Sequence, residues 1–175
     1  CTKGYKLTGY KVRKHPKDFT SPIGETGKDC DLFGQFLFKN SSGKYLVITS
    51  GEHDAMAAYE MLDSYRQSRN QGEYDPIPVV SPTIGESGAY KQLQANYEWL
   101  NRFEKIVYCK DPDAAGDKAL EKISRVIPKR KLYVMELATV KDPNEALQKG
   151  KQKEFISKFF SASAYVPSGI VGSSE

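Results

Sequence analysis

Apolar positions along this chain fall into short continuous runs, each followed by a stretch in which they recur every three to four residues. Tyr45-Leu46-Val47-Ile48-Thr49 reads as a buried strand. The turn Ser50-Gly51-Glu52-His53-Asp54 leads from it into a helix that carries Ala55, Ala58, Tyr59 and Leu62 on one face. A polar stretch from Ser64 to Asp75 reads as a loop or a helix extension, and Ile77-Pro78-Val79-Val80 as a second strand. Ala89, Leu93, Tyr97, Leu100 and Phe103 recur at helical spacing and predict one helix packed on a sheet. Ile106-Val107-Tyr108-Cys109 is the third strand. Ala115, Ala119, Leu120, Ile123, Val126 and Ile127 then form an amphipathic helix that stops near Pro128. Leu132-Tyr133-Val134-Met135 is the fourth strand, Asn144 to Lys149 a short helix ended by Gly150, and Phe155, Ile156, Phe159 and Phe160 the apolar side of a last helix.

Strand–helix alternation with these connection lengths predicts an α/β fold, a parallel sheet with helices on both faces. Ahead of it, Tyr5 to Phe38 is β-like. Tyr10-Lys11-Val12-Arg13 alternates, Pro16, Pro22, Gly24 and Gly27 punctuate, and Leu32-Phe33-Gly34-Gln35-Phe36-Leu37-Phe38 reads as another strand. The expected organisation is a small basic β-rich subdomain over residues 1–44, the α/β domain with its closing helices over 45–160, and a linker over 161–175. The chain opens on Cys1 rather than Met and ends in a Gly/Ser-rich tail, which predicts a fragment of a longer protein.

Composition and charge narrow the function. No apolar stretch is long enough to span a bilayer, and no signal-peptide pattern opens the chain, so no membrane partner is expected. Cys1, Cys30 and Cys109 are far apart, which argues against a zinc site or disulfide framework and for a reducing, cytoplasmic compartment. Net charge is +4, but residues 1–44 hold nine Lys/Arg against four Asp/Glu and the rest sums to −1. A basic arm beside an acidic body suits a polyanionic substrate handled with metal ions, although a solvated lysine-rich β-surface would look the same from charge alone.

The acidic residues carry the chemistry. In open parallel sheets it lies beyond the carboxyl ends of the strands, and there stand Glu52 and Asp54, Asp111 and Asp113, and Asp142. Two carboxylates one residue apart at a strand end share a side of the chain, and Pro112 between Asp111 and Asp113 stiffens the turn. Such anions repel unless a hard cation such as Mg²⁺, with Mn²⁺ as a substitute, sits among them. Each alone reads equally well as a helix cap; five from three strand ends point to a metal-dependent phosphoryl-transfer or phosphodiester site. Gly85-Glu86-Ser87-Gly88 is not a P-loop, because no Gly-Lys-Ser/Thr follows, and reads as a turn near the rim, with Lys91 a phosphate-contact candidate. His15 and His53 read as surface residues or as supports of the site.

In order, Gly9-Tyr10-Lys11-Val12-Arg13 to Lys17-Asp18-Phe19, Leu32-Phe33-Gly34-Gln35, Gly51-Glu52-His53-Asp54, Ala95-Asn96-Tyr97-Glu98, Asp111-Pro112-Asp113-Ala114-Ala115-Gly116, Lys141-Asp142-Pro143-Asn144-Glu145 and Val166-Pro167-Ser168-Gly169-Ile170-Val171 resemble the Toprim RNA polymerase domain of T7-type phage primase-helicases. The resemblance implies a DNA primase that makes short RNA primers from ribonucleoside triphosphates on single-stranded DNA in the host cytoplasm. A ring-forming helicase domain would follow the linker. It implies Asp111, Asp113, Asp142, Glu52 and Asp54 as metal ligands, with Glu52, Asp111 and Asp113 catalytic. Lys11, Arg13 and Lys17 match basic positions that would hold template or triphosphate; from the residues themselves, Lys91 and Lys110 are further candidates for contact with nucleic acid or triphosphate. Two positions depart from the family pattern. Ser50 stands where a glutamate is usual, so that Glu52 takes its role or catalysis is weakened, and Lys110 stands where an aromatic is common, free to pair with Asp111 or Asp113 or to face phosphate. A degenerate Toprim module that binds DNA and supports the helicase is the alternative reading; a Toprim nuclease or topoisomerase is a lesser one.

Overall fold

The computed structural model of the chain describes residues 1–14, 18–128 and 130–167. Six two-residue strands come first: β1 (Thr2–Lys3), β2 (Lys6–Leu7), β3 (Gly9–Tyr10), β4 (Arg13–Lys14), β5 (Asp18–Phe19) and β6 (Ile23–Gly24). They pair antiparallel as β1 with β2, β3 with β6 and β4 with β5. The first hairpin turns through Gly4 and Tyr5, both at positive φ (56° and 65°). Tyr5 holds this unfavourable conformation because Asp31 accepts its N–H at 2.8 Å, the Gly4 N–H at 3.1 Å and the Thr2 hydroxyl at 2.7 Å.

The run from Leu32 to Phe38 is not the expected strand. It is a succession of tight turns joined to the rest by one bridge, Phe33 to Ser81. Gly34 sits at φ 85°, and the buried Gln35 side chain accepts the Leu32 N–H at 2.9 Å, so the backbone folds back on itself.

The main sheet follows: β7 (Gly43–Ile48), β8 (Val79–Val80), β9 (Phe103–Cys109) and β10 (Leu132–Met135) are parallel, and β11 (Ser163–Ala164) adds antiparallel to β10. The spatial order is β11-β10-β9-β7-β8. Thus the start of the stretch expected to be linker is an edge strand, also held by the Tyr165 N–H to the Leu132 carbonyl at 2.9 Å. The helices are α1 (Glu52–Ser68), α2 (Ala89–Ala95), α3 (Tyr97–Leu100), α4 (Ala114–Ser124), α5 (Pro143–Gln148) and α6 (Gln152–Phe160).

Alternation along the central strands separates two cores. Leu46, Ile48, Ile106 and Tyr108 face Leu93, Leu100, Ala119 and Ile123 of α2 to α4. Val47, Val107 and Cys109 face Ala58, Met61, Ala146, Phe155 and Phe159 of α1, α5 and α6. Burying each large apolar side chain contributes about 1.5–3 kcal/mol, which is why strands apolar on both sides sit in the middle. The single helix expected over 89–103 is broken at Asn96, whose side chain donates to the Cys30 carbonyl at 3.1 Å and the Gln92 carbonyl at 2.9 Å. Phe103, expected on that helix, instead opens β9, fully buried with its ring 5.1 Å from that of Trp99.

Topology puts one edge of the sheet to use. The crossover from β7 to β8 runs over α1 on one face, whereas those from β8 to β9 and from β9 to β10 run back over α2 to α4 on the other. Between β7 and β9 the connections therefore diverge, the switch point at which open α/β sheets leave a crevice. In-register pairing of Ile48 with Tyr108 and with Val80, and of Met135 with Cys109, brings all four parallel strand ends to that rim.

Candidate functional site

Three carboxylates from three strand ends meet electrostatically at the switch point. Asp54 lies in the first turn of α1, Asp111 follows β9, and Asp142 caps α5 after β10. Burial, and after it the charge of Asp142, pushes the Asp54 carboxyl up to about 6. The Asn144 N–H, 3.3 Å from Asp54 Oδ1, opposes this and ties α5 to α1. The Asp111 carboxyl is likewise raised by burial and then by Asp142 and Asp113. A fourth carboxylate, Glu86 from the loop after β8, is raised by its own burial and by Asp111 and Asp113; its Oε1 is buried with no hydrogen-bond partner. Among the described residues no three carboxylate, histidine or cysteine side chains stand close enough to form a ready-made cage.

Local structure fixes each acid. Asp113 is the N-cap of α4 and accepts the Gly116 N–H at 2.7 Å. Gly116 is required there, since a Cβ would lie 2.2 Å from the Asp111 carbonyl oxygen. The helix thus packs directly under the Asp111 turn. Asp142 caps α5 in the same way, accepting the Glu145 N–H at 2.7 Å, with Pro143 in the first turn and Glu145 accepting the Lys141 N–H at 2.8 Å. The capping and ligand readings are compatible, because a cap occupies one carboxylate oxygen. Ser50, two residues past β7, has a buried hydroxyl without a hydrogen bond of normal geometry, close enough to Asp111 and Tyr108 to offset a small part of the rise that burial gives both.

Other positions singled out from the sequence go elsewhere. Glu52 faces the basic arm, its Oε1 2.6 Å from Lys11 Nζ, and it lines a cleft of about 470 Å³ with Tyr10, Arg13, Phe33, Phe36 and His53. Lys110 pairs with neither Asp111 nor Asp113 side chain. Its Nζ, almost buried, lies 2.8 Å from Asp117 and 2.7 Å from Glu136 and donates to the Asp111 carbonyl at 3.2 Å, so its charge braces the turn. Lys91 is exposed on α2 beside the Tyr90 ring, 5.8 Å from its centroid. Lys17 and His15 lie outside the described residues.

Two further residues position the site. Glu86 is one more acid after a strand end, and its signal in the sequence is that position after β8. The buried Gln92 amide carried no sequence signal, being one polar residue in a helical face. Its Nε2 donates to the Asp31 and Cys30 carbonyls at 2.9 and 3.2 Å, and its Oε1 accepts the Thr83 N–H at 2.8 Å. It therefore ties the arm, α2 and the loop after β8 together beside the rim.

Residues 47–147 match the family model described as Toprim-like. The chain is 36% identical over 165 residues to the DNA helicase/primase of Enterobacteria phage T3, covering 94% of this chain and 26% of that one. It thus spans about a quarter of the relative's length. Among solved structures it is similar to a bacteriophage T7 gp4 primase domain determined with the lagging-strand DNA polymerase, an RNA/DNA hybrid and dTTP. That match has a TM-score of 0.76 and 33% identity over 91% of this chain and 74% of the other. The crystal structure of the primase fragment of the bacteriophage T7 primase-helicase matches with a TM-score of 0.73 and 34% identity, over 88% of this chain and 58% of that one. The chain belongs to the Toprim-like family, and in sequence and fold its relatives there are the primase domains of T7-type phage primase-helicases.

Proposed function

We propose that the chain is the RNA-polymerising part of a phage primase-helicase, joining ribonucleotides on a single-stranded DNA template in the host cytoplasm, with a ring-forming helicase as its covalent partner. The observation that carries this reading is the trio Asp54, Asp111 and Asp142, which three strand ends bring to the sheet's switch point, where burial and mutual repulsion raise the carboxyls of Asp54 and Asp111. An all-oxygen donor set, joined by the orphaned Glu86 Oε1, suits a hard divalent cation such as Mg²⁺ or Mn²⁺. Asp111, Asp142 and Asp54 would hold it, with Asp113 and Glu86 adjacent. When bound, such an ion neutralises triphosphate charge and lowers the pKa of the attacking 3′-hydroxyl. Asp113 and Asp142 keep the turns rigid by capping their helices, and Lys110 braces the Asp111 turn from behind. The arm with Lys11, Arg13 and Lys17 would hold template or incoming nucleotide; the Lys11–Glu52 pair already seats it beside the rim.

Primer synthesis on single-stranded DNA with Mg²⁺ or Mn²⁺ tests this in the full-length protein. Asp111→Asn should lower product about a hundredfold while leaving the fold intact; unchanged synthesis would contradict the assignment. A second reading, a Toprim module that binds DNA without making primers, is favoured by Ser50, whose hydroxyl is a very poor base near neutral pH. A silent wild type restored by Ser50→Glu selects that reading, whereas an active wild type abolished by Glu52→Gln assigns the base role to Glu52.

A further inference from the structure

The arm displays aromatic rings that neither core uses. Tyr10, Phe33 and Phe36 are 54%, 36% and 49% exposed, and all three line the 470 Å³ cleft that also holds Lys11 and Arg13. Exposed aromatics gathered in one cleft lose the benefit of burial, so their grouping calls for a ligand. Their placement is built rather than loose. Phe33 is held by a two-way backbone bridge to Ser81, its N–H donating at 2.9 Å and its carbonyl accepting at 3.2 Å. Ser81 directly follows β8, so the bridge fixes the cleft to the rim itself. Gly34, at φ 85°, would place a Cβ 2.8 Å from the Val79 carbonyl oxygen, and Gln35 is buried beneath; the pair turns Phe33 and Phe36 toward solvent. Phe36 is fixed in turn by the Tyr5 ring, edge-on with centroids 6.4 Å apart, and Lys39 Nζ stands 5.1 Å from its centroid.

We propose that Tyr10, Phe33 and Phe36 form a stacking platform for the bases of single-stranded nucleic acid, held beside the acidic rim by the Phe33–Ser81 bridge. This rests on the primase reading for its ligand and adds to it the contact that holds the bases. The chemistry fits because every base has a π-face, whereas the cations interleaved with the rings, Lys11, Arg13 and Lys39, match the phosphates. Lys11 is already paired with Glu52, so the rings rather than unspent charge supply the base-dependent part of binding.

The test uses the full-length protein and an oligothymidylate carrying 5-iodouracil, compared with an abasic oligonucleotide of the same length and charge. Irradiation should cross-link Phe36, Phe33 or Tyr10, identified by mass spectrometry of the tryptic peptides. In a competition against this cross-link, Phe36→Ala and Phe36→Leu should each lose about tenfold in affinity for oligothymidylate. They should compete with the abasic strand as wild type does, and Phe36→Trp should recover the loss. Cross-links confined to other segments, Phe36 variants that bind both strands as wild type does, or a loss equal for both strands would overturn the platform. A wild type that makes no primers yet still distinguishes the two strands through Phe36 would sink the primase reading and leave the platform standing.

Discussion

At the scale of single residues, carboxylates are kept near one another at the rim at some cost to the fold. Asp54 titrates near pH 6 in the folded chain and near pH 4 when unfolded. Between those values the folded state binds more protons, so this group's contribution to stability declines as pH climbs from about 4 to about 6 and is then constant. Asp54→Asn should therefore raise the melting temperature at pH 7.5 in a chelator, and the margin should vanish below pH 4. An equal margin at both pH values would show that charge is not the cause. The acids after strand ends were legible because their chemistry needs no context beyond a strand and a turn. Which of them turn inward was not, since that depends on distant partners: Glu52 goes to Lys11, and Lys110 finds Asp117 and Glu136 instead of the acidic pair.

At the scale of elements, apolar periodicity located the four parallel strands and the main helices, because burial on both faces writes continuous runs. It failed where a side chain competes with the backbone. Asn96 ends α2 by bonding to Cys30 and Gln92 carbonyls, and a spacing count over Leu100 and Phe103 could not see that break. Leu32 to Phe38 looked like a strand from its composition, yet Gly34 and the buried Gln35 make it a turn. The seam between arm and sheet depends on Gln92. Gln92→Leu leaves the Asp31 carbonyl and the Thr83 N–H without their partner, and should cost about 2–3 kcal/mol in urea unfolding. Primer synthesis should fall further than that loss explains, since the arm would no longer be held against the rim. Wild-type stability in this variant would mean that the buried amide does not hold the seam.

At the scale of the molecule, opposite crossovers on either side of β7 and β9 open a crevice, and in-register strand ends fill it with acids. The stretch after α6 extends the same sheet through β11. Cation binding should stabilise the whole chain, because an ion that binds only the folded state raises its apparent stability by mass action. The melting temperature should rise with Mn²⁺ in wild type, and much less in Asp111→Asn.

The most direct measurement is anomalous scattering from a crystal soaked in Mn²⁺. A peak bound by Asp111 together with Asp142 or Asp54 is the expected result. A saturated crystal with those three side chains turned apart and no peak among them would contradict the account.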